Sequence, residues 1–242
     1  MSQFRETFDP KEWSAVYDSE EPHGAQFVFR HGSALAAEAC LRWSHSGERW
    51  VDVGCGTGHL AAALARKELQ VTGLDHDSGM IDAARESFGA VPLSGRLRFL
   101  LGNAKALPFS EGAVDGLVAT SVMGCFTDPD AFYREAFRIL RKEGVAILTF
   151  TNRSSILLKI NGRFRSGAAD TYHLYSFPEV LTGLRKIGFE VLEWSYYNFF
   201  LNIGKWIIPP LPLSLIVERL GRSTRSSRYL GRNFLVVVRK MA

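Results

Sequence analysis

Apolar residues along this chain follow two patterns, short continuous runs and longer stretches with helical spacing. The short runs predict β-strands at residues 50–53, 70–75, 96–101, 114–121, 145–150, 188–194 and 233–239. The longer stretches lie between these runs and predict helices. Strands that alternate with helices favour βαβ units and a parallel sheet, so we expect an α/β fold.

Helix boundaries are marked by capping residues. Asp9 and Pro10 predict the N-cap and the first position of a helix near the start of the chain. A second helix is predicted over residues 29–43, before the first strand. Further along, apolar residues at helical spacing follow Asp128 and predict a helix that ends at Gly144.

Three glycines follow the first strand, at positions 54, 56 and 58. Their turn leads into a helix, whose free backbone N–H groups favour anions. A dinucleotide-binding turn has the spacing G-x-G-x-x-G, whereas this turn has G-x-G-x-G with His59 after the last glycine. Asp52 lies two residues before the first glycine. Its carboxylate would oppose a pyrophosphate but suits a positively charged amino group.

The segment VDVGCGTG at residues 51–58 resembles the first motif of the class I S-adenosylmethionine-dependent methyltransferases. Further matches extend the resemblance over residues 50–151, and the chain is similar to the ubiquinone and menaquinone biosynthesis group. The resemblance implies a Rossmann-like, seven-stranded, mostly parallel sheet with an antiparallel last strand and helices on both faces. It also implies S-adenosyl-L-methionine as cofactor and S-adenosyl-L-homocysteine as product. The implied contacts to the methionine end of the cofactor are Asp52, Gly54, Cys55, Gly56 and Gly58.

Asp75 ends the second predicted strand, 17 residues after Gly58. The chain needs about that distance to run down a helix and back up the neighbouring strand. The Asp75 carboxylate is therefore expected beside the glycine turn, where it can accept hydrogen bonds from ribose hydroxyls. The resemblance supports the same role. His76 and Met80 are candidates for packing near the adenine, although a Met at helical spacing is usually a core residue. Alternatively, Asp75 is structural and caps the helix that begins near Asp77.

The third strand is followed by GNAKALPF at residues 102–109. This segment resembles the family's Gly-Asp-Ala-x-x-Leu-Pro-Phe, in which the acid or the adjoining backbone meets the adenine amino group. Asn103 replaces the acid here, and its side-chain carbonyl can still accept from an N–H donor. Ala104 supplies the adjoining backbone.

The fourth strand ends at Thr120 and Ser121. The ligand crevice of an open α/β sheet lies at the carboxyl ends of its strands, so the reactive methyl group is expected there. Adenine N6-methylating members of the family carry Asn/Asp-Pro-Pro-Tyr at this point, and cytosine C5 enzymes use a Pro-Cys pair. This chain continues with Val122 and Met123, and its Cys125 follows a glycine. Substrates other than nucleobases are therefore favoured.

The bulk properties fit one α/β domain of 242 residues. A net charge of +4 and a pI near 9.0 are compatible with anionic substrates, nucleic acid or a membrane surface, and select none of them. Three widely spaced cysteines favour a reducing compartment, and the first residues lack a signal-peptide pattern. We therefore expect a cytoplasmic protein. Polar residues and prolines interrupt the apolar region 194–217, so it is not a plain transmembrane helix.

The single domain 1–242 is predicted to have an N-terminal helical cap (1–45), a cofactor-binding core (46–152) and a substrate-side half (153–242). Within that last part, residues 199–231 exceed what a minimal family fold needs. They combine an apolar run around Trp206 with several arginines. This insertion is predicted to be a lid over an apolar substrate or a membrane contact, or else an added helix with a solvated basic face.

Four aromatic residues are candidate substrate contacts, namely Tyr17, Tyr172, Tyr175 and Trp206. His173 and His31 are candidate bases for the proton of a hydroxyl acceptor, although packing or solvent-facing roles remain open. No carboxylate cluster indicates a metal site.

We expect transfer of a methyl group from S-adenosylmethionine to an O, N or C atom of a small apolar or aromatic metabolite. A DNA partner is not expected and an RNA partner is disfavoured, and the protein is expected to be a monomer or homodimer. Methylation of RNA or protein is an alternative that would rest on the basic C-terminal segment. A cofactor-binding module without methyl transfer is another.

Overall fold

The computed structural model describes residues 9–18, 24–89, 95–163, 172–203, 206–208, 213, 216, 218–220 and 227–241. Within these residues, seven strands form one sheet. They are β1 (Arg49–Val53), β2 (Gln70–Asp75), β3 (Leu97–Leu101), β4 (Val114–Ala119), β5 (Leu140–Thr151), β6 (Phe189–Tyr197) and β9 (Asn233–Lys240). A separate two-stranded hairpin is made of β7 (Leu201–Ile203) and β8 (Trp206–Ile208).

The strand order in the main sheet is β3-β2-β1-β4-β5-β9-β6. The pairs among β1 to β5 are parallel, whereas β9 lies antiparallel between β5 and β6. The order reverses at β1 and β4, so a crevice opens between the carboxyl ends of these two strands. This topology confirms the predicted Rossmann-like, mostly parallel sheet with an antiparallel last strand.

The helices are α1 (Pro10–Asp18), α2 (Gly24–Arg42), α3 (His59–Ala65), α4 (Ser78–Phe88), α5 (Asp130–Ile139), α6 (Ile156–Arg163), α7 (Phe177–Ile187) and α8 (Ser227–Leu230). They cover both faces of the sheet, because one hydrophobic core joins α2, α3 and α4 to it and a second core joins α5 and α7. Within the described residues, no helix combines the length and apolar character needed to cross a membrane.

Two predicted boundaries were wrong. The second helix begins at Gly24 rather than at residue 29. The helix after Asp128 ends at Ile139, and β5 already begins at Leu140. Leu140 is fully buried and pairs with Val114, after which the β4–β5 register shifts. This burial in the sheet outweighs the helical spacing that had extended the helix to Gly144.

Candidate active site

The glycine turn between β1 and α3 has the conformation that its sequence predicts. Gly54, Gly56 and Gly58 all have positive φ, at 73°, 52° and 85°. The backbone N–H groups of Gly54 and Cys55 donate to the Leu74 carbonyl at 2.8 and 3.1 Å, which fastens the turn to β2. The turn is thus built by its backbone and kept free of side chains at three positions.

Gly56 leaves no room for a side chain. A Cβ atom there would lie 2.6 Å from Nε1 of Trp13 in α1. The close approach shows that the backbone of the turn faces a narrow space and that α1 lies directly over it. A turn without side chains at these positions lets a ligand approach its backbone closely.

Asp52 lies in β1, immediately before the turn, and is fully buried. Among the residues that the structure describes, neither of its carboxylate oxygens has a hydrogen-bond partner. Burial, together with the nearby carboxylate of Asp75, raises the pKa of Asp52 to about 7. The backbone amide of Ala61 offsets this only in part and does not reach hydrogen-bond geometry. A buried carboxyl group in this condition is suited to a cationic ligand group that supplies the missing partner.

Asp75 ends β2 and its carboxylate lies beside the turn, as expected. One oxygen accepts from the backbone N–H of Gly56 at 2.8 Å and the other from that of Asp77 at 3.1 Å. The alternative that Asp75 caps the next helix was wrong, because the cap of α4 is Asp77, which accepts from Gly79 and Met80. Asp75 therefore holds the turn, and each of its oxygens retains capacity for a further hydrogen bond.

The predicted adenine contacts differ in their surroundings. His76 is exposed, with its ring nitrogen 3.3 Å from the Asp75 carboxylate. Met80 is buried in α4. The side-chain carbonyl of Asn103 already accepts from the backbone N–H of Lys105 at 2.8 Å, and Ala104 packs against the core beneath α5. Cys55 also packs into the core, where burial raises the pKa of its thiol.

The end of β4 meets the glycine turn from the other side. Thr120 and Ser121 line the same small cavity as Asp52 and Gly54. Ser121 has a φ of 60°, and its backbone N–H donates to the Thr149 hydroxyl at 3.0 Å. A non-glycine residue in this conformation is uncommon and is often found at functional sites.

Helix α1 covers the turn along its length. Trp13 lies over Gly56, and the Tyr17 ring stacks on the His59 ring with centroids 4.6 Å apart. Asp18 accepts from His59 at 3.3 Å. The Tyr17 hydroxyl forms a hydrogen bond with the Ser33 side chain, and burial raises the pKa of Tyr17 to about 12. Trp13, His59 and Ser33 were not among the residues proposed from the sequence, because only the contact between α1 and the turn reveals them.

The cavity that remains between α1 and the turn is about 10 Å³. Such a space holds at most one water molecule, so α1 must shift before any larger ligand reaches the turn. A larger cavity of about 350 Å³ lies at the opposite end of the strands, where β1, β2 and β4 begin. Its lining includes Arg49, Arg96 and Arg98 and none of the turn residues. We place the site at the turn, since the buried carboxyl group and the glycines are there.

Residues Tyr172 to Tyr175 approach the segment that follows β4. The backbone N–H of His173 donates to the Gly124 carbonyl at 2.8 Å, and the Tyr172 ring packs closely against Gly124. Tyr175 is buried, and its hydroxyl donates to the carbonyls of Met123 and Phe126. Tyr175 thus holds this segment from inside, while Tyr172 and His173 are only partly buried.

His31 lies in α2, and its Nε2 makes a short contact with the buried carboxylate of Glu218. The His31 ring also stacks on Phe27 with centroids 5.3 Å apart. The contact between His31 and Glu218 connects α2 to the insertion at residues 199–231. Trp206 lies in β8 of that insertion, but its side chain is outside the described part of the chain.

Comparison with known proteins identifies a matching family model and related sequences. Residues 51–148 match a family model described as a methyltransferase domain. An O-methyltransferase, resE, from Aspergillus sclerotiorum is 26% identical over 73% of this chain and 68% of its own length. The ubiquinone/menaquinone biosynthesis C-methyltransferase UbiE of Geobacter sulfurreducens is 31% identical over 51% of this chain and 49% of its own length. The chain thus spans about half the length of that bacterial relative.

Among solved structures, a similar fold is found in magnesium protoporphyrin IX methyltransferase from Synechocystis PCC 6803, a structure with bound SAH. The TM-score is 0.68 with 15% sequence identity, and the match covers 95% of this chain and 93% of that one. At this identity the likeness shows the fold.

Proposed function

Because the chain belongs to the class I S-adenosylmethionine-dependent methyltransferases, we propose that it transfers a methyl group to a small apolar or aromatic metabolite. The accepting atom is an O, N or C atom. The observation that carries the proposal is the buried Asp52 carboxyl group beside a turn of three glycines, which lacks any hydrogen-bond partner in the described part of the chain. The amino group of S-adenosylmethionine is a cation of the kind that this carboxyl group needs.

The residues around the turn fit the parts of the cofactor. Asp52 would hold the ammonium group of the methionine end, and Asp75 would accept from the ribose hydroxyls. Asn103 and the Ala104 backbone would lie toward the adenine, with Thr120 and Ser121 at the methionine end. When bound, the cofactor supplies an electrophilic methyl group on a positively charged sulfur. The protein contributes mainly by holding the acceptor in line with that methyl group.

A hydroxyl acceptor also needs a base within hydrogen-bond reach. His173 is our first candidate, since its backbone is anchored to Gly124 just after β4. Tyr172, which packs on the same glycine, would contact the substrate. His31 is the second candidate, oriented by Glu218. Tyr175 has a structural role in this proposal, because its hydroxyl is fully engaged with backbone carbonyls.

The names of the relatives support a small-molecule acceptor over the alternatives. They are an O-methyltransferase and a C-methyltransferase of quinone biosynthesis. Methylation of RNA or protein would rest only on the basic insertion, and a non-catalytic module would bind the cofactor without forming S-adenosylhomocysteine. We further propose that the protein acts in the cytoplasm as a monomer or homodimer.

Calorimetric titration with S-adenosylmethionine, S-adenosylhomocysteine and NAD tests the cofactor site. We expect both sulfur ligands to bind and NAD not to bind. Asp75→Ala should abolish binding, whereas Lys105→Ala, a change at an exposed side chain nearby, should leave it intact. Failure of the wild-type protein to bind either sulfur ligand would refute the proposal. A screen of apolar hydroxylated metabolites for S-adenosylhomocysteine formation would then separate an enzyme from a binding module.

A further inference from the structure

The insertion contains helical residues whose polarity is opposite to that of a surface helix. The described positions 213, 216 and 218–220 are helical. Leu213, Ile216 and Leu220 are 50%, 56% and 74% exposed, and their spacing places them on one face. Glu218, on another face, is buried at 1% exposure. The apolar side chains thus point outward and the acid points inward.

This orientation is fixed by the contacts of Glu218. One carboxylate oxygen contacts Nε2 of His31, and the other accepts from the backbone N–H of Asn198 at 3.0 Å. Asn198 directly follows β6, and its carbonyl accepts from the backbone N–H of Arg232. The helical residues cannot rotate to bury Leu220 without breaking these buried polar contacts. Their apolar exposure is therefore built into the fold.

Other exposed apolar residues lie in elements at the same end of the sheet, after β5 and β6 and before β9. They are Ile156 at the start of α6, Ile208 at the end of β8, and Tyr229 and Leu230 in α8. The Ser155 hydroxyl donates to the Leu230 carbonyl at 3.2 Å, which joins α6 to α8. We call Leu213, Ile216 and Leu220 the apolar face.

The sequence of the insertion is basic. Residues 199–232 contain six basic residues and a single acid, Glu218, and both Glu218 and Arg232 are buried. Arg219 is exposed beside the face, and Lys159 is exposed on α6. Exposed apolar side chains flanked by basic ones are typical of surfaces that bind anionic lipids.

We propose that the apolar face docks onto an anionic lipid bilayer. A second copy of this chain fits less well, because a symmetric contact would bring two basic surfaces together. The face lies near the carboxyl end of β6, since Glu218 bonds to Asn198 there. The strands β1, β5 and β6 run in the same direction, so the glycine turn after β1 lies at the same end of the sheet. If the proposed function holds, docking there would give the site direct access to an apolar acceptor dissolved in the membrane.

Vesicle flotation of the full-length protein tests the proposal. We expect binding to vesicles with about one-third phosphatidylglycerol, and weak binding to pure phosphatidylcholine or at high salt. The double variant Ile216→Gln/Leu220→Gln should reduce binding at least about tenfold, because each side chain loses its apolar burial in the lipid. Arg219→Gln should weaken binding to anionic vesicles only.

The matched control is Leu101→Gln in β3, the outer strand on the opposite side of the sheet from β6, because Leu101 and Ile216 are equally exposed at 56%. Leu101→Gln should float like the wild-type protein. If the double variant floats as well as the wild-type protein, the proposal is overturned. A change in the oligomeric mass of the double variant without a change in flotation would overturn it too, and would indicate that a second copy covers the face. Calorimetry with S-adenosylmethionine checks folding of each variant, and its failure in the wild-type protein would refute the proposed function without altering the flotation result.

Discussion

Two buried carboxylic acids in this protein have opposite surroundings. Glu218 contacts His31 with one oxygen and accepts from the backbone N–H of Asn198 with the other. Asp52 is equally buried and has no partner for either oxygen among the described residues. The first acid holds two parts of the fold together, whereas we propose that the second holds a ligand. A buried group without partners is thus the better indicator of a binding site, and a buried group with partners indicates a structural role.

The largest effect is expected from Glu218→Ala. Removal of one member of a buried polar pair leaves His31 and the Asn198 backbone N–H without partners, so the variant should lose about 3 kcal/mol of unfolding free energy. Urea denaturation measures the loss. Glu218→Gln keeps the shape and should lose less. Equal stability of Glu218→Ala and the wild-type protein would break the comparison.

Asp52→Asn should raise the free energy of unfolding rather than lower it, which makes the ligand-free protein more stable at pH 8. The folded pKa of Asp52 is about 7 and its ordinary value is 3.8, so ionisation opposes folding increasingly as pH rises from about 4 to 7. The gain should be about 2 kcal/mol at pH 8, since the new amide also lacks partners, and smallest at pH 4. Thermal unfolding at both pH values measures it. In the same variant, S-adenosylmethionine affinity should fall at least about tenfold.

Gly56→Ala tests whether the space beside Asp52 is kept for a ligand. The substitution strains a residue at φ 52° and places a methyl group 2.6 Å from Trp13 Nε1. We expect a loss of about 1–2 kcal/mol in stability, with a larger proportional loss of cofactor binding. Gly47→Ala is the control, since Gly47 also has a positive φ but no atom lies within 4 Å of its added methyl group. The control should lose stability and keep cofactor affinity.

The smallest expected effect is the number of protons released when the cofactor binds. Near pH 6 most Asp52 is protonated, and a bound ammonium group would lower its pKa, so cofactor binding should release up to about one proton. Above pH 9 the release from Asp52 should vanish. Titrations in buffers with different ionisation enthalpies measure this count. If Asp52→Asn released as many protons as the wild-type protein at pH 6, Asp52 would not be the group that titrates.

Local features of the chain were predictable from the sequence and contacts between distant segments were not. The glycine turn, the end of β2 at Asp75 and the antiparallel last strand all follow from short motifs, from strand patterns or from the family resemblance. The contact between His31 and Glu218 joins positions 187 residues apart, and no spacing rule connects them. The cover of Gly56 by Trp13 is also a contact between separate elements.

The errors in the predicted boundaries have a related cause. Helical spacing continues past Ile139, so the sequence alone favoured a longer α5, but Leu140 is drawn into pairing with Val114. Likewise, Asp75 and Asp77 are chemically equivalent as caps, and the fold decides between them by bonding Asp75 to the Gly56 backbone. In both cases tertiary contacts selected one of two locally acceptable structures.

Helix α1 is expected to gate cofactor exchange. Because α1 leaves room for at most one water molecule over the turn, entry can be no faster than the shift of α1 or of its side chains Trp13 and Tyr17. The observed association rate should therefore level off as ligand concentration rises, at a ceiling equal to the opening rate. If the spent cofactor leaves by the same opening, the movement of this nine-residue helix also sets an upper limit on turnover.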